Sequence, residues 1–202
     1  MEFVDIAGIV KGASQGAGLG NKFLANIRQT DAIVQVVRCF VDDDIIHVDG
    51  SVDPLRDIEI IELELVLADI AQIEKKIEKA RKDKKTDPLE LSALEKANTA
   101  LQAGKPARSA GLSIKEREAI KTLMLLTLKP VIYAANVGDS DLAEGNELSK
   151  KVFAYAEEHG SKAVLVSAQV SPAFLFIYPS VYCIYILYLS SLFIAMCTIY
   201  LW

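Results

Sequence analysis

Short apolar segments that each run into a polar turn constrain the fold of this chain more than any other feature. The segments are Phe3–Ile6, Ala32–Phe40, Val131–Ala135 and Ala163–Ala168. Brief runs rich in β-branched residues, with helical patterns between them, are typical of buried parallel strands. We therefore predict an α/β fold, in which helices cover a parallel sheet.

The turns that follow these segments contain the polar residues of greatest interest. Asp5-Ile-Ala-Gly8 ends the first segment, Asn136-Val-Gly-Asp139 follows the third, and Ser167-Ala168 closes the last. Because the carboxyl ends of parallel strands meet at one edge, we expect these turns to lie along the same rim of the sheet. Each motif is short, and the alternatives are that Asp5 caps a loop and that Asn136–Asp139 is an ordinary turn.

A long helical pattern begins at Pro54. Its apolar stripe consists of Leu63, Leu67, Ile70, Ile73, Ile77 and Ala80, and a second stripe consists of Leu91, Leu94, Ala97 and Leu101. The turn Lys84–Pro88 separates the stripes, since proline cannot continue a helix. The pattern predicts an antiparallel coiled-coil hairpin. Such stripes often serve packing alone, but the basic cluster from Lys75 to Lys85 is a candidate surface for RNA or an acidic protein.

Two further helices are predicted after the hairpin, in addition to one over residues 21–30. Ser113 and Glu116 form a capping-box pattern that starts a helix at Ile114, and this helix is expected to stop at Lys129-Pro130. Its inward residues are Ile120, Leu123, Leu126 and Thr127. A second amphipathic helix runs from Leu148 to His159. Its inward residues are Val152, Phe153 and Ala156.

Several polar residues are assigned no site. Asp42–Asp44 are adjacent carboxylates that cannot all face one ion, so we interpret them as a solvated loop. His47 is isolated, and His159 lies at a helix end before a glycine. The cysteines show no metal-ligand spacing, and their odd number favours reduced thiols.

Longer stretches around these motifs carry a family resemblance. Asp5–Ser14 and Gly18–Arg28, followed by Val36–Phe40, Asp42–Asp44 and Val52–Pro54, resemble the Obg-like ATPase (YchF) family. The resemblance covers residues 1–170. It implies part of a P-loop NTPase of the TRAFAC type, in which a coiled-coil hairpin is inserted into the nucleotide domain.

The resemblance also implies roles for the turn residues. Asp5 would reach Mg²⁺ through water, and the Gly8 amide would contact the terminal phosphate of ATP or GTP. Asn136, Val137 and Asp139 would form the base-recognition turn, supported by Ser167 and Ala168. Family members have Asn-x-x-Glu at this turn and accept ATP. The shorter Asp139 leaves the choice between ATP and GTP open. The implied partner is the ribosome or RNA, contacted through the basic hairpin tip.

The chain departs from the family pattern in its catalytic parts. No Gly-x-x-x-x-Gly-Lys-Ser/Thr loop is present, and Gly16–Lys22 has the wrong spacing, with Phe23 where a hydroxyl is needed. Ile9 stands where Ras-like enzymes use glutamine to orient the attacking water. Here the chain follows the resemblance, which implies a family member that lacks this glutamine. We therefore assign no catalytic residue, leave the enzyme class uncertain and expect hydrolysis at the background rate.

The resulting domain prediction has four parts. Residues 1–56 form a partial nucleotide domain, residues 57–105 the helical insertion, residues 106–170 the remainder of the nucleotide domain, and residues 171–202 an apolar tail. The tail contains no Asp, Glu, Lys, Arg or His, so the net charge of -5 belongs to the first 170 residues. Residues 181–202 are long enough to span a bilayer. The tail is interpreted either as a membrane anchor or as sequence read through from a non-coding region.

Three functions follow as hypotheses. The first is purine-nucleotide binding without efficient hydrolysis, and the second is a non-catalytic interaction module that binds ribosome, RNA or protein through the hairpin. The third is a tail-anchored membrane protein. The expected location is the cytoplasm, with the plastid stroma as the alternative if a targeting segment precedes this start, and a membrane if the tail is genuine.

Overall fold

The computed structural model describes residues 3–6, 19–42, 51–83, 85–167 and 196–200. The strands are β1 (Phe3–Ile6), β2 (Ala32–Arg38), β3 (Val131–Asn136), β4 (Lys162–Val166) and β5 (Met196–Tyr200). The helices are α1 (Leu19–Arg28), α2 (Pro54–Lys82), α3 (Pro88–Gln102), α4 (Ile114–Ala119) and α5 (Glu147–Glu158). Short 3-10 turns occupy Ala107–Ser109, Lys121–Leu123, Leu126–Leu128 and Asp139–Asp141.

The strands form a parallel sheet in the order β1-β5-β2-β3-β4, which confirms the predicted α/β fold. Arg38 of β2 is level with Asn136 of β3, which is level with Val166 of β4. The carboxyl ends of these three strands therefore lie side by side at one edge of the sheet.

The chain divides into two compact units. The sheet unit contains Met1–Gly8, Thr30–Ile58 and Val131–Trp202, and the helical unit contains Ile9–Gln29 and Glu59–Pro130. Most of helix α2 thus belongs to the helical unit, whereas its first turn belongs to the sheet unit.

In the sheet unit, helix α5 packs against β3 and β4. Val152 and Ala156 are buried as predicted, and the rings of Tyr133 and Tyr155 meet edge to face with centroids 5.7 Å apart. Phe153 was expected to point inward, but its side chain is exposed. The buried face consists of Ser149, Val152 and Ala156. Phe153 fits the same spacing of three and four residues but lies on the exposed side of this stripe.

In the helical unit, α2 and α3 form an antiparallel pair. Arg81 pairs with Glu95. Glu74, which precedes Arg81 in α2, accepts a hydrogen bond from Gln102, which follows Glu95 in α3. The buried face of α3 agrees with its predicted stripe at Leu94, Ala97 and Leu101. The finer prediction of coiled-coil packing between these helices stays a prediction.

The predicted stripe of α2 is confirmed at Ile73, Ile77 and Ala80, which are buried, but its first part differs from the prediction. Leu63 and Leu67 are exposed, whereas Leu65, Val66 and Asp69 are buried. The sequence pattern missed this rotation because a buried Asp69 carboxylate, bonded to backbone amides, occupies a position that an apolar residue would normally mark.

Helix α4 is much shorter than predicted. The capping box of Ser113 and Glu116 is confirmed, but the helix ends at Ala119 and not near Pro130. Met124 follows in the left-handed region at φ 48°, which interrupts the helical path. The amides of Leu126 and Thr127 then bond to Asp69 in place of a helical carbonyl.

The apolar tail contains a strand that was not predicted, since β4 was expected to be the last strand. Strand β5 lies between β1 and β2 and pairs with both in parallel. Its residues, Met-Cys-Thr-Ile-Tyr, include β-branched and aromatic types that favour strands. Within the described ranges, no helix is long and apolar enough to cross a membrane. Most of residues 181–202, the predicted span, lie outside those ranges.

Candidate functional site

The edge formed by the ends of β2, β3 and β4 brings the predicted base-recognition residues together. The Cys39 amide donates to the Asn136 carbonyl at 2.7 Å, and the Val137 amide donates to the Val166 carbonyl at 2.9 Å. These bonds continue the sheet pairing one residue beyond each strand. The turn after β3 is therefore fixed from both sides.

Asp139 and Ser167 are in direct contact on this edge. The Ser167 hydroxyl donates a hydrogen bond to Oδ1 of Asp139. Ser167 is buried, whereas Asp139 is exposed at the start of a 3-10 turn. A buried hydroxyl thus orients an exposed carboxylate, which can accept hydrogen bonds from a ligand.

Asn136 and Val137 have different surroundings. Asn136 is half-buried at the end of β3, and its backbone carbonyl is used by Cys39. The Val137 side chain is buried, so this residue holds the turn through packing and its backbone amide. The buried Val137 side chain therefore holds the predicted base-recognition turn in place by packing against the protein interior.

Asn146 is a positioning residue that the sequence analysis missed. Its Nδ2 donates to the Cys39 carbonyl and to Oδ2 of Asp141, both at 2.7 Å. Its Oδ1 accepts from the Ser149 amide at 2.9 Å and so caps helix α5. The cap was readable from the sequence, since Asn directly precedes an amphipathic helix. The bond to Cys39 joins residues far apart in sequence and had no local signal.

Gly145 makes the tight approach to this cap possible. Its φ is +75°, and a Cβ at this position would lie 2.7 Å from Oγ of Ser149. The Ser149 hydroxyl there donates to the Asn146 carbonyl, so a side chain at residue 145 would disturb the capping box.

The residues after β2 are fixed by Arg38, which the sequence analysis also left unassigned. Its guanidinium donates to the carbonyls of Phe40 and Asp42 at 3.2 Å and lies 4.7 Å from the centroid of the Phe40 ring. Next to it, burial raises the pKa of the Cys39 thiol to about 12, and the nearby Asp57 carboxylate adds to this shift. Cys39 therefore stays protonated, which excludes it as a nucleophile at neutral pH.

The residues predicted to face the phosphates are only partly covered by the structure. Asp5 lies in β1 and is level with Thr198 of β5. Since all strands are parallel, the carboxyl end of β1 points to the same edge as that of β3. Gly8, Ile9 and Ala168 lie outside the described residues, as do Asp43, Asp44 and His47. Among the residues that are described, no group of three or more His, Cys, Asp or Glu can hold a metal ion.

His159 lies where the sequence placed it, at the end of helix α5. It stacks on the Tyr155 ring with centroids 4.0 Å apart, and its Nδ1 is 2.9 Å from the Tyr155 carbonyl. These contacts give His159 a role in terminating the helix.

Comparisons with known proteins find relatives that belong to one family. The chain is 49% identical over 175 residues to the ribosome-binding ATPase YchF of Bacillus subtilis, covering 84% of this chain and 48% of that protein. It is 39% identical over 171 residues to Obg-like ATPase 1 of rice (Oryza sativa subsp. indica), covering 82% of this chain and 43% of that protein. The chain thus spans about half the length of these relatives.

A solved structure supports the same relationship. The YchF GTPase of Schizosaccharomyces pombe matches with a TM-score of 0.64 and 40% sequence identity, over 79% of this chain and 46% of that one. No family model matches the sequence.

Proposed function

The chain belongs to the Obg-like ATPase (YchF) family, and we propose that the edge formed by β3 and β4 binds the base of a purine nucleotide. The observation that carries this proposal is the hydrogen bond from buried Ser167 to exposed Asp139. This bond holds an acceptor carboxylate at the carboxyl edge of a parallel sheet, where ligands of such folds bind.

The proposed roles follow from chemistry and position. Asp139 accepts hydrogen bonds from the base, and Ser167 orients the Asp139 carboxylate. Asn136 holds the turn against the neighbouring strand. Ala168 would support the base with its backbone. Gly8 would face the terminal phosphate, and Asp5 would contact Mg²⁺ through a water molecule.

The arrangement favours ATP over GTP. Ser167 already donates to Oδ1 of Asp139, so Oδ1 keeps one lone pair for a ligand and Oδ2 is the oxygen with both lone pairs free of this bond. One such oxygen matches the single exocyclic amino group of adenine. Guanine presents two neighbouring donors and is served best by two open oxygens. We therefore propose ATP as the preferred ligand, with GTP as the weaker one.

Hydrolysis by this chain alone is proposed to be at the background rate. The sequence contains no Gly-x-x-x-x-Gly-Lys-Ser/Thr loop to hold the phosphates. Phosphoryl transfer depends on positioning and charge stabilisation, which that loop supplies. Turnover by the purified chain above a no-enzyme control would contradict this proposal.

Nucleotide titrations followed by ¹⁵N NMR test the base site. We expect ATP to shift the amides of Val137, Gly138, Asp139 and Ser167, and CTP to leave them unchanged. Asp139→Asn should weaken ATP binding about tenfold, because it removes one charged hydrogen-bond acceptor. Glu144→Gln is the matched control, since it removes a charge from an exposed residue of the same loop.

The titration can also overturn the base-site proposal. Equal shifts with CTP and ATP would show that the edge does not select purines. An Asp139→Asn variant that binds ATP as tightly as the wild type would remove Asp139 from the site.

A second proposal concerns association with the ribosome or its RNA. The observation that favours it is a set of exposed lysines on helix α2, which includes Lys75, Lys79 and Lys82. Relatives of this chain are described as ribosome-binding. We propose that the helical unit supplies part of that contact.

A further inference from the structure

The basic residues at the tip of the helical hairpin are largely paired with acids. Arg81 pairs with Glu95 at 2.8 Å, and Lys82 pairs with Glu78 at 2.6 Å. Lys85 is exposed close to the turn. Because carboxylates pair with two of the basic residues described there, Arg81 and Lys82, the tip offers less net positive charge than its composition suggests.

The cations without a described ion pair lie earlier in α2, further from the turn. Lys75 and Lys79 are exposed, and the described residues give neither an ion pair. They are one helical turn apart and line a groove together with Arg28 of α1 and Lys76. None of the described residues that line this groove is acidic. Residues four apart on a helix lie on one face, so these charges act on the same ligand.

Arg28, which lines this groove, has an unsatisfied donor. Its Nε has no hydrogen-bond partner among the described residues, and a phosphate oxygen is an acceptor that would match it. Gln72 is held in place by its Nε2, which donates to the Leu123 carbonyl at 2.6 Å. Buried polar atoms without partners are uncommon, and a bound ligand or water is the usual explanation.

The groove floor decides between two kinds of partner. Leu24, Ala68 and Leu123 belong to its apolar part and are only 3%, 8% and 7% exposed, whereas the exposed Ala71 adds a single methyl group. An amphipathic acidic peptide would therefore find little apolar surface to cover. No described side chain that lines the groove is aromatic, so this part of the groove offers no ring on which a base can stack. Exposed cations on a closed floor match a ligand that offers only charge, such as a phosphate backbone.

We propose that the groove lined by Arg28, Lys75 and Lys79 binds the phosphate backbone of RNA. This inference rests on the proposed ribosome association. Within the basic cluster from Lys75 to Lys85, it assigns the contact to the groove and not to the residues next to the turn. Recognition of this kind is independent of base sequence and depends strongly on salt.

The test compares two double variants that each remove two charges. Lys75→Gln/Lys79→Gln changes the groove, and Lys82→Gln/Lys85→Gln changes the tip. Binding of a fluorescent single-stranded RNA is measured over a series of salt concentrations. Each phosphate contact contributes about 0.7 to the salt slope, so the groove variant should lose about 1.4 of slope and about 20-fold in affinity at 0.1 M salt. The tip variant should change affinity by less than about threefold.

Each possible result has a clear reading. A tip variant that loses more affinity than the groove variant would overturn the groove proposal and keep ribosomal association. A wild-type chain that binds no RNA at low salt would overturn both. Binding of poly-glutamate in preference to RNA would assign the groove to an acidic protein and contradict the proposal. ATP titrations of the groove variant, followed at the Asp139 amide, show whether the protein is folded and keep this test separate from the base site.

Discussion

The two units of this chain use a single polar side chain in the same way but in different surroundings. In the helical unit, Asp69 is 0% exposed and accepts from the amides of Leu126 and Thr127 at 2.9 and 2.8 Å. In the sheet unit, Asn146 is half-buried and bonds to the Cys39 carbonyl and to Asp141 at 2.7 Å. Each side chain bonds to backbone groups in the connections between helices and strands: Asp69 to the amides of Leu126 and Thr127, and Asn146 to the carbonyl of Cys39.

The difference between the two anchors lies in what they leave accessible. The Asp69 carboxylate is enclosed by protein donors, and Thr127, which donates to it, also accepts from the Ala107 amide at 3.0 Å. Asn146 stands beside an edge where the Asp139 carboxylate is exposed. We infer that the buried network serves stability, whereas the edge network holds a surface in shape for a ligand.

Removal of the Asp69 carboxylate is the change with the largest expected effect. Asp69→Ala leaves two buried amides and the Thr127 hydroxyl without their acceptor. Leaving buried donors unsatisfied should lower the free energy of unfolding by about 3 kcal/mol. Urea denaturation followed by circular dichroism measures this loss.

A matched variant on the same helix shows whether burial is the cause. Glu59→Ala removes a carboxylate from an exposed position of α2 and should change the free energy of unfolding by less than about 0.5 kcal/mol. Burial raises the pKa of Asp69, so its ionised form carries a desolvation cost that the bonded amides offset. If both variants lose the same stability, the Asp69 network does not hold this unit together.

The second prediction separates the two functions of Asn146. Asn146→Ala removes the helix cap and the cross-strand bond and should lower the free energy of unfolding by about 1–2 kcal/mol. Asn146→Asp keeps an acceptor for the Ser149 amide but loses the Nδ2 donor and faces the Asp141 carboxylate. We expect Asn146→Asp to retain part of the stability yet weaken the ATP-induced shift at Asp139.

The comparison of these two variants with the wild type is the measurement. Urea denaturation reports the helix cap, and the NMR titration with ATP reports the shape of the edge. Wild-type ATP binding by Asn146→Asp would show that the edge does not depend on the Asn146 donor, and the contrast drawn with Asp69 would fail.

The extent to which the sequence predicted these features follows the range of the interactions. The strands β2 and β3 and the capping box of Ser113 and Glu116 depend on residues close in sequence, and their patterns were read correctly. The Asp69 and Asn146 bonds span 57 and 107 residues, and only the folded chain identifies their partners. The pairing of β5 with β1 and β2 is of the same long-range kind.

The errors on helix faces have a related cause. Leu63 and Phe153 fitted an apolar stripe by spacing, but each lies on the exposed side of its helix. Spacing predicts that a stripe exists, and neighbouring elements decide which of two overlapping stripes is buried. In α2 the buried face includes the acidic residue Asp69, whose burial a hydrophobic pattern cannot predict.

Glu116 is an intermediate case and has the smallest expected effect. Its Oε1 pairs with Lys96 at 2.6 Å, and its Oε2 accepts from the Ser113 amide and hydroxyl at 2.8 Å. The Lys96 ammonium and the two Ser113 donors lower the pKa of Glu116 to about 2. Because the folded pKa is below the unfolded one, near 4.5, the stabilisation is present above the unfolded value and is lost as the pH falls through the folded value.

Glu116→Gln should therefore remove a part of the acid sensitivity of the helical unit. We expect the stability difference between wild type and variant to be larger at about pH 5 than at about pH 3, as measured by urea denaturation. Glu118→Gln, at an exposed residue of the same helix, should show no such difference between the two pH values. If the Glu116 difference is also independent of pH, the capping box holds a neutral carboxyl as well as a carboxylate. The charge of a bonded carboxylate would then contribute to the stability of this unit only at a fully buried position such as Asp69.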